Sequence, residues 1–171
     1  VTIRAAVLTV SDRCARGEAP DASGPAVATL LRERLAAEIV ATACVPDEPD
    51  EIRTAVRSWA HVALVVTTGG TGFSPRDRTP EAIRPLLDRE APGLMELARA
   101  RTGAITPLAY LSRGIAGTMG SSLVLTLPGS PKGAVEQLTA LLDVLPHALA
   151  VLAATQSTDA LHGRRPFPDA T

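Results

Sequence analysis

The chain has 171 residues, 46% of them hydrophobic, with 17 basic against 18 acidic side chains. That length bounds it to one domain with a substantial core, and the balanced charge excludes a nucleic-acid surface or a polybasic membrane patch. Trp59, Tyr110, Phe73 and Phe167 are its four aromatic residues, so the core must be aliphatic, and single-strand binding by base stacking is excluded as well.

Taken in chain order, IRAAVLTV (3–10) predicts a strand buried on both faces; it is too short and too β-branched for a signal peptide. Residues 25–37 predict a helix, with Val27, Leu30, Leu31 and Leu35 at helical spacing and Pro25 near the first turn. IVATACV (39–45) is a second strand, and 50–60 a short helix with Ile52, Val56 and Trp59 on one face. VALVVT (62–67) is the third strand. Residues 79–90 open a helix with Thr79 as N-cap and Pro80 at its first position; Pro85 inside it predicts a kink or break. A further helix is expected at 92–102, and strand or irregular chain leading to a turn over the glycine-rich 103–120. SLVLTL (122–127) is a strand, and 131–142 and 144–154 read as helix interrupted at Pro146. Residues 1–154 form the domain, and the polar segment 155–171 reads as a frayed tail. No apolar stretch reaches the roughly 18 residues of a membrane span. Cys14 and Cys44 form no CxxC pair; reduced thiols in a cytoplasmic protein are expected, with a disulfide between them as the alternative.

Alternating strands and helices with continuous apolar strands predict an α/β fold, a sandwich around a mostly parallel sheet. Ligands in such sheets sit beyond the carboxyl ends of the strands, which selects the loops 11–24, 46–50, 68–79 and 128–133. These carry the same kinds of groups: Ser11, Asp12, Arg13, Asp21, Ser23 and Gly24; Asp47 and Glu48; Gly69, Gly70, Thr71 and Gly72 with Arg76 and Asp77; Ser130 and Lys132. Glycine backbone lets amides approach an anion. Arginine and lysine supply charge, and aspartates can hold Mg²⁺ that bridges phosphates. Together they point to a nucleoside triphosphate with its metal. The known phosphate motifs do not fit: GGTGFSPRD lacks the Walker lysine, Pro75 stands where a dinucleotide fingerprint needs glycine, and Ser130 has the wrong spacing for a hydrolase elbow. His61, His147 and His162 show no metal spacing. A glycine cluster after a strand can also be only a tight turn, and PDEPD only a solvated helix cap.

The blocks LTVSDRCARGEAPDASGP, VPDEPDEI, TTGGTGFSPRDRTPEA, TPLAYLSRGIAG and LPGSPKGAVE resemble, in the same order, the MogA/MoaB family of molybdenum-cofactor biosynthesis proteins. The likeness spans about residues 3 to 153. It implies a three-layer α/β/α sandwich with a mixed sheet, usually assembled as a trimer, and for the active members a molybdopterin adenylyltransferase: molybdopterin plus ATP gives adenylylated molybdopterin and pyrophosphate, with Mg²⁺. It implies Asp47 and Asp77 as the catalytic, metal-holding aspartates. Ser11, Asp12, Gly69, Gly70, Thr71, Gly72, Arg76, Ser112, Arg113, Ser130 and Lys132 would bind substrate. The molybdate-inserting enzyme would be a partner. Some members of the family keep much of this motif set without catalytic duty, so a non-catalytic pterin-binding protein is the alternative, and a nucleotide hydrolase a third class. The chemistry itself asks for no histidine. The nucleophile, a phosphate monoester with a second pKa of about 6, is largely dianionic at neutral pH, so the obstacle is the approach of one anion to another.

Overall fold

The computed structural model describes residues 2–154; the expected tail from Thr155, with His162 and Phe167, lies outside the described residues. Six strands, β1 (Arg4–Val10), β2 (Glu38–Val45), β3 (Leu64–Thr68), β4 (Arg89–Glu90), β5 (Ala116–Met119) and β6 (Ser122–Leu127), form one sheet in the order β2-β1-β3-β6-β5-β4. The first four in that order run parallel, whereas β5 is antiparallel to both β6 and β4. The sheet is therefore mixed, as expected.

The strands that read as continuous apolar runs are central because both of their faces are covered. Ala5 and Val7 of β1, Leu64 and Val66 of β3, and Leu123, Leu125 and Leu127 of β6 face one way. There they meet α2 (Ser23–Leu35), α5 (Pro92–Gly103), α6 (Pro131–Thr139) and α7 (Leu145–Ala154) through Val27, Leu31, Met95, Leu138 and Leu145. Ala6, Leu8, Val65 and Val124 face the other way, onto α3 (Pro49–Ser58) and α4 (Thr79–Ile83) through Ile52, Val56, Ala82 and Ile83. Three layers result, and the side-chain alternation of each strand divides the core between them. β2, at the edge, is only half-buried. No helix among the described residues is long and apolar enough to cross a membrane.

Several boundaries differ from expectation for local reasons. A one-turn helix, α1 (Asp12–Ala15), follows β1 where only loop was expected; it is capped by the Ser11 hydroxyl, which accepts from the Cys14 amide at 3.3 Å. Four residues carry no periodicity for a sequence to reveal. α2 begins two residues early because the Asp21 carboxylate accepts from the Gly24 amide at 3.0 Å and closes its first turn. The helix over 79–90 breaks at Pro85 as expected, though β4 was not: α4 ends at Ile83, a 3₁₀ turn, Arg84–Leu86, contains Pro85, and β4 follows. Proline has no amide with which to continue the helix. Thr79 is not the N-cap: Arg78 holds that position, and the Thr79 hydroxyl is buried without a partner among the described residues. Pro146 does not interrupt a helix either, but sits in the first turn of α7, where its missing amide costs nothing. Residues 103–120 resolve into a 3₁₀ turn, Pro107–Leu111, and β5, which turns at Gly120 (φ 57°) into β6.

Two threonines test the polar bookkeeping of the sheet. Thr67 and Thr126 pair across β3 and β6, and both are fully buried. The Thr126 hydroxyl accepts from the Ile115 amide at 2.6 Å and donates to the Ile115 carbonyl at 3.0 Å; the Thr67 hydroxyl has no partner among the described residues. Thr126→Val is expected to cost about 1–3 kcal/mol, because it strands a buried amide. Thr67→Val is expected to be neutral within about 0.5 kcal/mol or stabilising. Urea unfolding midpoints of the two variants measure the difference, and equal losses would contradict this account.

Candidate active site

The four parallel strands end at one edge of the molecule, and their loops converge there. Two cavities lie side by side at that edge. The larger, about 570 Å³, is lined by residues that include Gly70, Thr71, Gly72, Asp77, Ser112, Ser130 and Lys132. The smaller, about 320 Å³, is lined by residues that include Ser11, Cys14, Asp21, Asp47, Gly69, Gly70 and Asp77. Gly70, Asp77 and Gly129 line both. The wall between the two compartments thus carries a carboxylate and bare backbone.

That backbone requires glycine. Gly69 has φ 96°, and a Cβ there would lie 2.1 Å from the Val10 carbonyl oxygen. Gly70 has φ 64°, and its Cβ would lie 2.2 Å from Thr79 Oγ1 and 3.2 Å from Asp47 Oδ1. Neither the left-handed backbone nor the space admits a side chain. The strand end is held by the Gly69 amide donating to Leu127 O at 3.0 Å, and the loop closes where the Thr79 amide donates to Gly70 O at 3.0 Å.

On the far side, Asp12 and Asp47 are locked to each other. The Asp12 amide donates to Asp47 Oδ2 and the Asp47 amide to Asp12 Oδ1, each at 3.0 Å. Arg76 then grips Asp12 with two hydrogen bonds, at 3.0 and 2.9 Å, and reaches Glu48 at 2.8 Å. The hydrogen bonds from Arg76 and then from the Asp47 amide hold the Asp12 carboxyl below the usual range. Its hydrogen bonds to Asp12 and then to Glu48 push the Arg76 guanidinium up. Asp47 moves the other way: burial raises its pKa, and the charges of Asp12 and Asp77 add to the rise. One carboxylate is therefore neutralised by the protein, and its neighbour is left short of positive charge.

The structure brings most of the expected residues together. Asp47, Asp77, Ser11, Gly69, Gly70, Thr71, Gly72, Ser112, Ser130 and Lys132 all line one or both cavities. Two arginines stand elsewhere. Arg76 faces outward and is committed to Asp12 and Glu48, with its side chain 52% exposed. Arg113 donates from Nε to Gly72 O and from Nη2 to Asp77 O, each at 2.7 Å, and from Nη1 to Glu81. Asp12 lines neither cavity and acts on Asp47. Ser130 accepts from the Gly133 amide at 3.1 Å and caps α6, while Lys132 is exposed, 3.9 Å from Glu136.

Sequence reasoning missed Gln137, which is buried on α6 with its Oε1 unpartnered among the described residues and lines the larger cavity. Asp21, a group of the selected loop 11–24 that received no role from the sequence, has a carboxylate that accepts from Thr9 Oγ1 at 2.7 Å beside the smaller cavity. The block DASGP carried Asp21 in plain view; nothing in the pattern around Gln137 marks it. Cys14 and Cys44 are free thiols. Burial and then the hydrogen bond with Cys14 push the Cys44 thiol up to about 12.

Comparison with known proteins places this chain in a family. Residues 6–147 match the family described as "Probable molybdopterin binding domain". The chain is 43% identical over 159 residues to gephyrin from Dictyostelium discoideum, covering 85% of this chain and 22% of that protein. It spans less than half the length of the longer relatives it matches. It is 39% identical over 157 residues to molybdopterin adenylyltransferase from Helicobacter pylori strain J99, covering 86% of each. The crystal structure of the molybdopterin biosynthesis enzyme MoaB from Thermus thermophilus superposes with a TM-score of 0.85 at 51% identity, covering 90% of this chain and 98% of that one. With the matched segment running from β1 into α7 and the glycine wall, the aspartates and both cavities inside it, the chain belongs to the molybdopterin-binding-domain family.

Proposed function

We propose that this chain transfers the adenylyl group of ATP to the terminal phosphate of molybdopterin, as a step of molybdenum-cofactor biosynthesis. The observation that carries the reading is the pair of cavities sharing a wall of Gly70, Asp77 and Gly129. Two compartments suit two substrates, and the shared wall is where their phosphates would meet. The relatives named for this chemistry support the same reaction. In it, a phosphate oxygen of molybdopterin attacks the α-phosphorus of ATP, the bond from that phosphorus to the bridging oxygen breaks, and pyrophosphate leaves with the electron pair.

No residue of the site has to remove a proton, because the attacking phosphate is already largely dianionic. The work of the chain is orientation and electrostatics. The backbone of Gly69–Gly72 would hold one phosphate group, Ser130 and Lys132 a second, and Ser112 the neighbouring polar edge of the substrate in the larger cavity. Asp47 and Asp77 would hold Mg²⁺. The donor set fits: both carboxylates line the smaller cavity, and Asp47 is left short of positive charge. Hard oxygen donors with one or two protein carboxylates are what Mg²⁺ takes when substrate phosphates and water complete its shell. Among the described residues no group of three or more His, Cys, Asp or Glu forms a ready cage. When bound, the ion neutralises charge on the reacting phosphates and on the departing pyrophosphate.

The same reading carries a cytoplasmic homotrimer with the molybdate-inserting enzyme as its partner. The exposed apolar side chains Leu108 and Leu111, which line the larger cavity, and Ile105 and Tyr110 on the same stretch of chain favour a contact there.

Mixing the protein with molybdopterin, ATP and Mg²⁺ and following pyrophosphate tests the reaction. Release that depends on the pterin is expected. Release without the pterin would make the protein a nucleotide hydrolase, and pterin binding without release would make it a carrier. Asp47→Asn and Asp77→Asn keep shape and remove charge; each is expected to slow turnover about 100-fold or more, the scale of losing one electrostatic contact to the transition state. Full activity of either variant at limiting Mg²⁺ would remove that aspartate from the assignment.

Asp47 also links function to stability. A carboxyl with a raised folded-state pKa binds more protons folded than unfolded over the window between its unfolded and folded pKa values. Stability therefore falls as pH rises through that window, and the loss is complete above it. Asp47→Asn removes the loss. The inactive variant is expected to melt higher than the parent at pH 7, by on the order of 1–3 °C, with the gap closing toward pH 4. Thermal melts across pH measure this, and a lower melting temperature at neutral pH would contradict it.

A further inference from the structure

Taking the proposed adenylyl transfer as its premise, we infer that Arg113 is a positioning residue, which fixes the loop carrying Asp77 and does not touch a substrate. Every nitrogen of its guanidinium already has a protein partner. Nε donates to Gly72 O and Nη2 to Asp77 O, each at 2.7 Å, and Nη1 pairs with the Glu81 carboxylate on α4. Its backbone amide donates to Thr71 O at 2.8 Å. One residue thus holds the carbonyls at both ends of the segment from Gly72 to Asp77.

That segment has little else to hold it on this side. The Asp77 amide donates to Ser74 O, and the Ser74 amide to Asp77 Oδ2, both at 2.9 Å, but these bonds lie within the segment. Phe73 at its tip is 70% exposed and packs no core. Arg76 ties the segment to Asp12 and Glu48 from the opposite direction. Arg113 comes from the chain between the 3₁₀ turn and β5, so the antiparallel part of the sheet braces a loop that grows from the parallel part. The planar fork matters. A lysine presents a single ammonium and cannot span two carbonyls and a carboxylate. Glu81 supplies the counter-charge: burial opposes its ionisation, but the hydrogen bond from Arg113, a backbone hydrogen bond and the charges of Arg113 and Arg84 together outweigh this and leave its pKa lowered.

The test compares Arg113→Lys, Arg113→Ala, Asp77→Asn and the Arg113→Ala/Asp77→Asn double variant in the pyrophosphate assay, and follows amide hydrogen exchange over residues 70–79. If Arg113 acts through Asp77, kcat falls at least about 10-fold in Arg113→Lys, while KM for ATP and for molybdopterin moves less than about 3-fold. The double variant is then no slower than Asp77→Asn within about 2-fold, because the two losses are one loss. Exchange over 72–78 accelerates at least about 10-fold in both Arg113 variants, with strand amides unchanged. A KM for one substrate raised about 10-fold at constant kcat, or multiplying losses in the double variant, overturns the inference and makes Arg113 a substrate ligand. If the unaltered protein releases no pyrophosphate, the transfer reading fails by itself. The exchange experiment then still decides: unchanged exchange over 72–78 in Arg113→Lys overturns the positioning role.

Discussion

The site depends on a carboxylate kept where it is electrostatically uncomfortable. Asp47 is partly buried beside Asp12 and Asp77, and its pKa rises because burial and those charges oppose its ionisation. Asp12 could have relieved the crowding only by leaving, and it does not leave. Reciprocal amide–carboxylate hydrogen bonds at 3.0 Å lock the two loops together, and Arg76 neutralises Asp12 from outside. The positive charge is spent on the supporting carboxylate, and the one beside the cavity keeps an unmet demand for a cation. The metal-bound polyphosphate of the proposed reaction would meet that demand.

The sheet explains why these groups meet. Parallel strands put all their carboxyl ends at one edge, so four loops far apart in sequence share one region. The left-handed glycines after β3 let the chain turn there with no side chain in the way, and this leaves backbone on the wall between the two cavities. The antiparallel β5 has a different use. It brings residues 112–116 back beside the β3 loop, where Arg113 reaches the carbonyls of Gly72 and Asp77. Two arginines therefore brace one loop from opposite sides, Arg76 toward β1 and β2, Arg113 toward β5.

Much of this was legible in the residues. Hydrophobic periodicity located the long strands and helices to within two or three residues, because each is an apolar pattern of sufficient length. Composition at the strand ends nominated Asp47, Asp77, the glycines and the Ser130–Lys132 turn, and all of them line the cavities. What escaped were short or non-periodic features, α1 and the two-residue β4, whereas the break at Pro85 was legible because proline lacks the amide. Thr79 had the residue type and place of a cap, yet its hydroxyl is buried against Gly70 instead.

The sequence by itself determined the layer architecture, the edge of the sheet where ligands belong and the kinds of groups that gather there, since these follow from local pattern and the geometry of parallel strands. Only the tertiary structure decided which charges are free. Arg76, Arg113, Asp47 and Asp12 look alike in a string of residues as candidate ligands. Folding pairs Arg76 with Asp12 and sets Arg113 on backbone carbonyls, and it leaves Asp47 short of positive charge. Those pairings join residues separated by 35 to 64 positions, and a hydrogen bond depends on distance in space, which no local pattern records.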